Sequence, residues 1–144
     1  EFLTDYLRMM LGGGLNVMQI ESLMEQERAV SELLSRVGDK WTVLIVKALE
    51  AKPRGRGCRF NELKREVGGI SQQMLTRTLK TLERDGMVAR TVHHTVPPSV
   101  EYALTDLGHS LAVPVMALAD WTFAHLPQIH ANRAAYDGAM GEAA

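Results

Sequence analysis

Between Gly69 and Gly86 the chain must bury one face of a helix and leave a very different face in solvent. Leu75, Leu79 and Leu82 recur at i, i+4 and i+7, the spacing of an apolar stripe along an α-helix. Gln73, Thr76, Arg77 and Lys80 recur at i, i+3, i+4 and i+7 and form the opposite stripe. Ser71 is placed to cap the N-terminus by accepting a bond from an otherwise free backbone N–H, and Asp85-Gly86 is placed to stop the helix. The pattern predicts a helix over 72–85. Its outer face carries amide, hydroxyl and cationic tips and no carboxylate, whereas a merely solvated face usually mixes acids with bases.

The flanks narrow the choice of fold. Arg59-Phe60 leads into a short helix over 61–67 that turns Phe60, Leu63 and Val67 inward, and Gly68-Gly69 supplies a turn. Helix, glycine turn, helix is the helix-turn-helix pattern. After Gly86, Met87–His93 alternates as a strand with Val88, Arg90 and Val92 on one face. Val96-Pro97-Pro98-Ser99 forms a tip whose prolines spoil no ladder, and Val100–Leu104 returns. A two-stranded wing therefore follows the amphipathic helix.

Upstream, Leu23, Met24, Val30, Leu33, Leu34 and Val37 mark a helix over 21–37, which Gly38 ends. Asp39 caps a second helix, Lys40 to about Leu49, apolar nearly all round and so central. Trp41 in it reads as a core anchor. Lys52-Pro-Arg-Gly-Arg-Gly-Cys58 reads as a loop, whose cations either touch a phosphate backbone or are solvated. Downstream, Thr105 caps a long helix from Asp106 to about His125, with Leu107, Leu111, Val115, Leu118, Ala119 and Phe123 as a wide apolar stripe. Pro114 is expected to kink it and Leu126-Pro127 to end it. An apolar helix beyond the needs of a small core implies a partner surface, most simply a second copy of the chain.

The fold class is thus mainly α with a small β-hairpin wing: a winged helix-turn-helix, dimeric through its N- and C-terminal helices. Residues 1–20 read as an extension broken by Gly12-Gly13-Gly14, 21–125 as the winged domain with its dimer helices, and 126–144 as a short helix or tail. Glu1 opens the sequence, and Met18 is a candidate natural start.

Charge supports the same reading. The net charge is only -1, yet Lys52–His94 holds ten Lys/Arg against four Asp/Glu, leaving six against thirteen elsewhere. Such segregation argues against indiscriminate polyanion binding and for a directed phosphate surface. No run approaches a membrane span. One cysteine rules out an internal disulfide framework and fits the cytoplasm.

The residues expected on double-stranded DNA are Ser71, Gln72, Gln73, Thr76, Arg77 and Lys80 on the helix, with Lys64 and Arg65 on the helix before it. His93, His94, Thr95 and Ser99 of the wing complete the set. Arg pairs with guanine and Gln with adenine in the major groove, and the first turn of a recognition helix penetrates deepest. His93-His94 also invites a metal reading, but no second ligand pair stands at a metal spacing, so no metal or cofactor is expected. Nor is an enzyme: there is no Ser-His-Asp grouping, and Gly12-Gly13-Gly14 lacks the strand–helix context of a phosphate loop.

At this point the chain resembles a known family. VGDKWTVLIVKAL, RFNELKREVGGISQQMLTRTLKTLERDGMVART and VPPSVEYALTDLGHSL look like the HxlR-type winged helix-turn-helix regulators, over about residues 28–125. The resemblance implies a bacterial or archaeal homodimer, pairing through its first and last long helices, on a near-palindromic operator. Many relatives carry a cysteine ahead of the first core helix as a thiol switch. Aligned on GDKW, Arg28 stands there, so that switch is absent. The lone Cys58 is a redox candidate, since Arg56 and Arg59 beside it would lower a thiol pKa, or else an incidental surface thiol. A small-molecule or redox effector is left unidentified. The competing function class is a winged-helix interaction or dimerisation module without specific DNA binding.

Overall fold

A computed structural model of the chain describes residues 5, 6, 9, 14 and 16–143. Of the glycine break, Gly12 and Gly13 lie outside the described residues, as does most of the expected extension. The chain divides between Thr42 and Val43 into two compact units.

In the first unit, helix α1 spans Val17–Val37, starting ahead of the expected boundary. Its start is fixed by a reciprocal cap: the Asn16 side chain accepts from the Gln19 N–H, and the Gln19 side chain accepts from the Asn16 N–H, both at 2.9 Å. The periodicity of Leu23 onward could not reveal this cap. Met24, Leu33 and Leu34 of its apolar stripe are exposed, and none of its residues is fully buried. Asp39 accepts from the N–H groups of Trp41 and Thr42, opening α2, Lys40–Glu50. Trp41 is half-buried, with Lys40 Nζ 4.7 Å from its ring centroid.

The second unit holds the core: Ile45, Val46 and Leu49 of α2, with Leu63, Leu75, Leu79 and Leu82. Helix α3, Phe60–Val67, and helix α4, Gln72–Arg84, flank Gly68 and Gly69, both at positive φ (68° and 73°), where a side chain would be strained. Ile70 of this turn is buried. Ser71 Oγ accepts from Met74 N–H at 3.1 Å and caps α4 as expected.

Strands β2, Val88–His93, and β3, Ser99–Leu104, form the wing in antiparallel register, with His93 opposite Ser99 and Val88 opposite Leu104. A third strand was not legible: β1, Cys58–Arg59, pairs with the other edge of β3, Cys58 opposite Tyr102, so the sheet order is β1-β3-β2. Two residues are too few for an alternation to register. Only Val88 of β2 is buried; Arg90 and Val92 share its side of the strand but stand in solvent as the wing leaves the core.

One corner joins wing and last helix. Thr105 Oγ1 donates to the Gly86 carbonyl at 2.6 Å and accepts from Gly108 N–H, while Thr105 N–H donates to the Met87 carbonyl. Gly108 packs so closely there that a Cβ would overlap the Met87 carbonyl oxygen. From this corner helix α5 runs unbroken over Asp106–Ala143, through both Pro114 and Pro127. The expected stop at Leu126-Pro127 is therefore corrected. Pro127 forfeits the bond to the Phe123 carbonyl, but both residues are exposed, so water can take that carbonyl. The following Ala131, Ala134 and Ala135 favour the helix strongly. No described helix is long and apolar enough to cross a membrane.

Cys58 corrects a second expectation. Paired within β1 it is fully buried, and its Sγ contacts the Arg59 carbonyl at 3.6 Å. Burial, then the charge of Glu62, pushes the thiol up to about 11 against a smaller lowering by Lys52. The arginines next to it in sequence are not what sets its chemistry; it is neither a surface thiol nor a ready thiolate.

Two outcomes follow from these contacts. Gly108→Ala should destabilise the fold by about 1–3 kcal/mol, because the backbone behind it cannot yield as a flexible side chain could; urea unfolding of the two proteins measures it. In native protein at pH 8, Cys58 should react with a disulfide reagent far more slowly than in urea, and faster as pH approaches 11. Equal native and denatured rates would contradict the burial.

Candidate nucleic-acid interface

Helix α4 must do two things at once, and its burial shows how they divide. Leu75, Thr78, Leu79 and Leu82 are buried, which turns Gln72, Gln73, Arg77 and Lys80 outward, with Thr76 half-buried between them. These five line one shallow groove of about 730 Å³. Thr76 Oγ1 donates to the Gln72 carbonyl at 2.8 Å, so it offers partners a methyl and a remaining acceptor. Ser71, exposed at the helix start, spends an acceptor lone pair on its cap and keeps its O–H free to donate.

A second groove of about 300 Å³ continues from Thr76 and Lys80 to the wing, lined also by Leu79, Glu83, Arg90 and Tyr102. Arg90 is exposed and was not among the expected contacts. Its only sequence signal was its place on a strand face between Val88 and Val92, which reads as core until the wing is seen to project.

The wing residues split. His93 Nε2 lies 3.1 Å from Glu101 Oε2, which leaves the other ring nitrogen for an outside partner. His94 and Thr95 are exposed, but Thr95 Oγ1 donates to the Pro97 carbonyl at 2.8 Å and so holds the tip. Ser99 joins neither α4 groove. It lines a third, of about 430 Å³, with Arg59, Phe60, Asn61, Glu62, Arg65, Pro98 and Val100. Arg65 is thus brought to the wing rather than to α4, and Lys64 beside it is half-buried. Arg59 and Asn61 went unforeseen because only the β1–β3 pairing carries the start of α3 to the wing.

Electrostatics sharpen the picture. Lys52 Nζ reaches Glu62 Oε1 at 2.8 Å and Glu66 Oε1 at 2.5 Å, tying down both acids of α3. The Glu62 bond and then the Glu66 bond hold the ammonium well above the usual lysine range, and the same contact holds Glu62 below the usual carboxylate range. Among the described residues, Arg59, Lys64, Arg65, Arg77, Lys80 and Arg90 have no ion-pair partner. Cations without internal partners, beside the α3 acids that Lys52 engages, form a surface able to take an anion, although Glu83 in the second groove has no ion-pair partner among the described residues. No group of three or more His, Cys, Asp or Glu among the described residues could hold a metal.

Comparison with known proteins agrees with this geometry. A family profile described as an HxlR-like helix-turn-helix matches residues 36–130. The chain is similar to the HTH-type transcriptional regulator YtfH of Escherichia coli (strain K12), 40% identical over 112 residues, covering 78% of this chain and 86% of that one. Among solved structures it is similar to the transcriptional regulator YtfH from Salmonella typhimurium, with 44% identity, a TM-score of 0.63, and coverage of 72% and 89% of the two chains. It is also similar to the redox regulator HypR in its oxidized form, with 38% identity, a TM-score of 0.58, and coverage of 67% and 95%. The chain belongs to the HxlR-like helix-turn-helix family.

Proposed function

We propose that this DNA-binding transcriptional regulator acts in the cytoplasm as a homodimer on a near-palindromic operator, with α4 of each subunit in a major groove and each wing on the flanking backbone. The observation that carries the reading is the outward face of α4: Gln72, Gln73, Thr76, Arg77 and Lys80 in one open groove, free of carboxylates, with both cations unpaired among the described residues. On this account Arg77 and Gln73 read base edges, Arg through guanine O6/N7 and Gln through adenine N6/N7. Ser71, Gln72 and Thr76 meet the same groove. Lys64, Arg65, Lys80 and the wing residues His93, His94, Thr95 and Ser99 grip phosphates and set register.

Dimer formation is supported by exposed apolar side chains along α5. On one face of α5, Leu107 is 54% exposed, Leu118 54% and Trp121 52%, while Phe123, 75% exposed, lies toward the opposite side of the helix. Exposed apolar surface of this extent marks an interaction site. A two-fold dimer would read half-sites about 10 bp apart, or a multiple of that. A small molecule or oxidant that modulates binding is unidentified. The name of the HypR relative makes oxidants one class to try, although Cys58 is buried here.

Fluorescence anisotropy on DNA from beside the gene, against random duplex, tests the reading. Arg77→Ala should lose about 1–3 kcal/mol of operator preference. Lys80→Ala should weaken both DNAs alike and lower the salt slope by about one. Equal loss on both DNAs for Arg77→Ala would sink its base-reading role. Trp121→Asp with Phe123→Asp should give a folded monomer by sedimentation with weakened operator binding; an intact dimer would move the interface elsewhere.

A further inference from the structure

We infer that the groove between α3 and the wing tip is a second phosphate site, in which Arg59, Asn61, Arg65 and Ser99 hold a backbone phosphodiester of the duplex that α4 reads. The inference rests on the DNA-binding reading and deepens it. The groove, about 430 Å³, shares no residue with the groove along α4. Its position follows from the sheet: Arg59 of β1 pairs with Glu101, so α3 begins beside the strand that leaves the wing tip at Ser99.

Its chemistry is that of an anion clamp. Arg59, Asn61 and Arg65 are exposed and Ser99 is half-buried. Two carboxylates stand near, and each is engaged: Glu62 by Lys52 at 2.8 Å, and Glu101 by His93 at 3.1 Å. Among the described residues neither carboxylate, nor any other, pairs with Arg59 or Arg65. Two guanidinium forks thus remain for an outside acceptor, and their planar donors match phosphate oxygens bidentately. The Asn61 amide and Ser99 hydroxyl add neutral donors of the kind that fix register on a backbone. A duplex read by α4 and touched by the wing tip presents such phosphates; no base edge is needed to fill this groove.

The test uses the full chain with Arg59→Gln and Arg65→Gln, singly and together, on operator and random duplex across a salt series. Each single change should weaken both DNAs several-fold, leave the ratio between them unchanged, and lower the salt slope by about one; the pair should lower it by about two. Both side chains are exposed, so folding should be retained, and circular dichroism checks it. If the double variant keeps the full slope while Lys80→Ala still reduces it, the groove is not a phosphate site and DNA reading by α4 stands. If the unaltered protein binds no DNA, both readings fall. If millimolar inorganic phosphate at fixed ionic strength binds the unaltered protein but not the double variant, yet leaves DNA affinity on the unaltered protein unchanged, the groove takes free phosphate and the duplex assignment is overturned.

Discussion

The rotation of α4 about its own axis is the constraint on which the rest depends. Leu75, Leu79 and Leu82 are buried against the core, each worth about 1.5–3 kcal/mol, and they fix that rotation. Turning the helix by one residue would bring side chains such as Arg77 or Lys80 toward the core, at a desolvation cost no new contact recovers. The outward polar face is therefore set by the apolar face behind it rather than by its own contacts. The next links are short. The glycine turn before α4 carries buried Ile70, and the Gly86 carbonyl just after α4 is held by Thr105. Helix, wing base and α5 thereby share one rigid corner.

What was legible in the sequence, and what was not, divides along the same line. The stripes of α4, the Ser71 cap, the glycine turn and the hairpin around Pro97-Pro98 are local, each fixed by residues a few positions apart. Those are the features that periodicity and turn chemistry can see. The strand Cys58–Arg59 is not local: it exists because β3, some forty residues later, offers an edge. Three misses follow from that one pairing. The loop after Lys52 ends in a strand, Cys58 is buried rather than presented, and Arg59 and Asn61 meet the wing. The Pro127 error has a different origin. A proline rule weighs one lost bond and one clash, while the run of alanines after it and the access of water decide the outcome together.

Net charge is a poor guide to what this surface offers. At -1 the chain looks neutral, and even its basic segment contains Glu62 and Glu66. The structure does not remove these acids; it occupies them. Lys52 takes both, His93 takes Glu101, and His109 Nδ1 meets Glu50 at 2.6 Å. The half-buried Lys52 pair is well placed to hold, whereas the exposed Arg54–Asp106 contact at 3.7 Å contributes little. Among the cations left without such a partner are Arg59, Arg65, Arg77, Lys80 and Arg90, which line the three grooves.

The segment Lys52–Cys58 joins these themes. Its first residue reaches across to α3 and its last enters the sheet, so a segment that reads as a loop is anchored at both ends. Gly57 is part of the anchorage, since a Cβ there would come within 2.6 Å of Glu101, the acid that His93 engages. The same anchorage therefore seats the acid that the wing histidine engages and buries Cys58, and that burial is the main cause of its raised thiol pKa. Cys58 is buried where β1 pairs with β3, the same pairing that sets Arg59 at the wing-side groove. One short strand thus both shields the thiol and places a cation beside the wing.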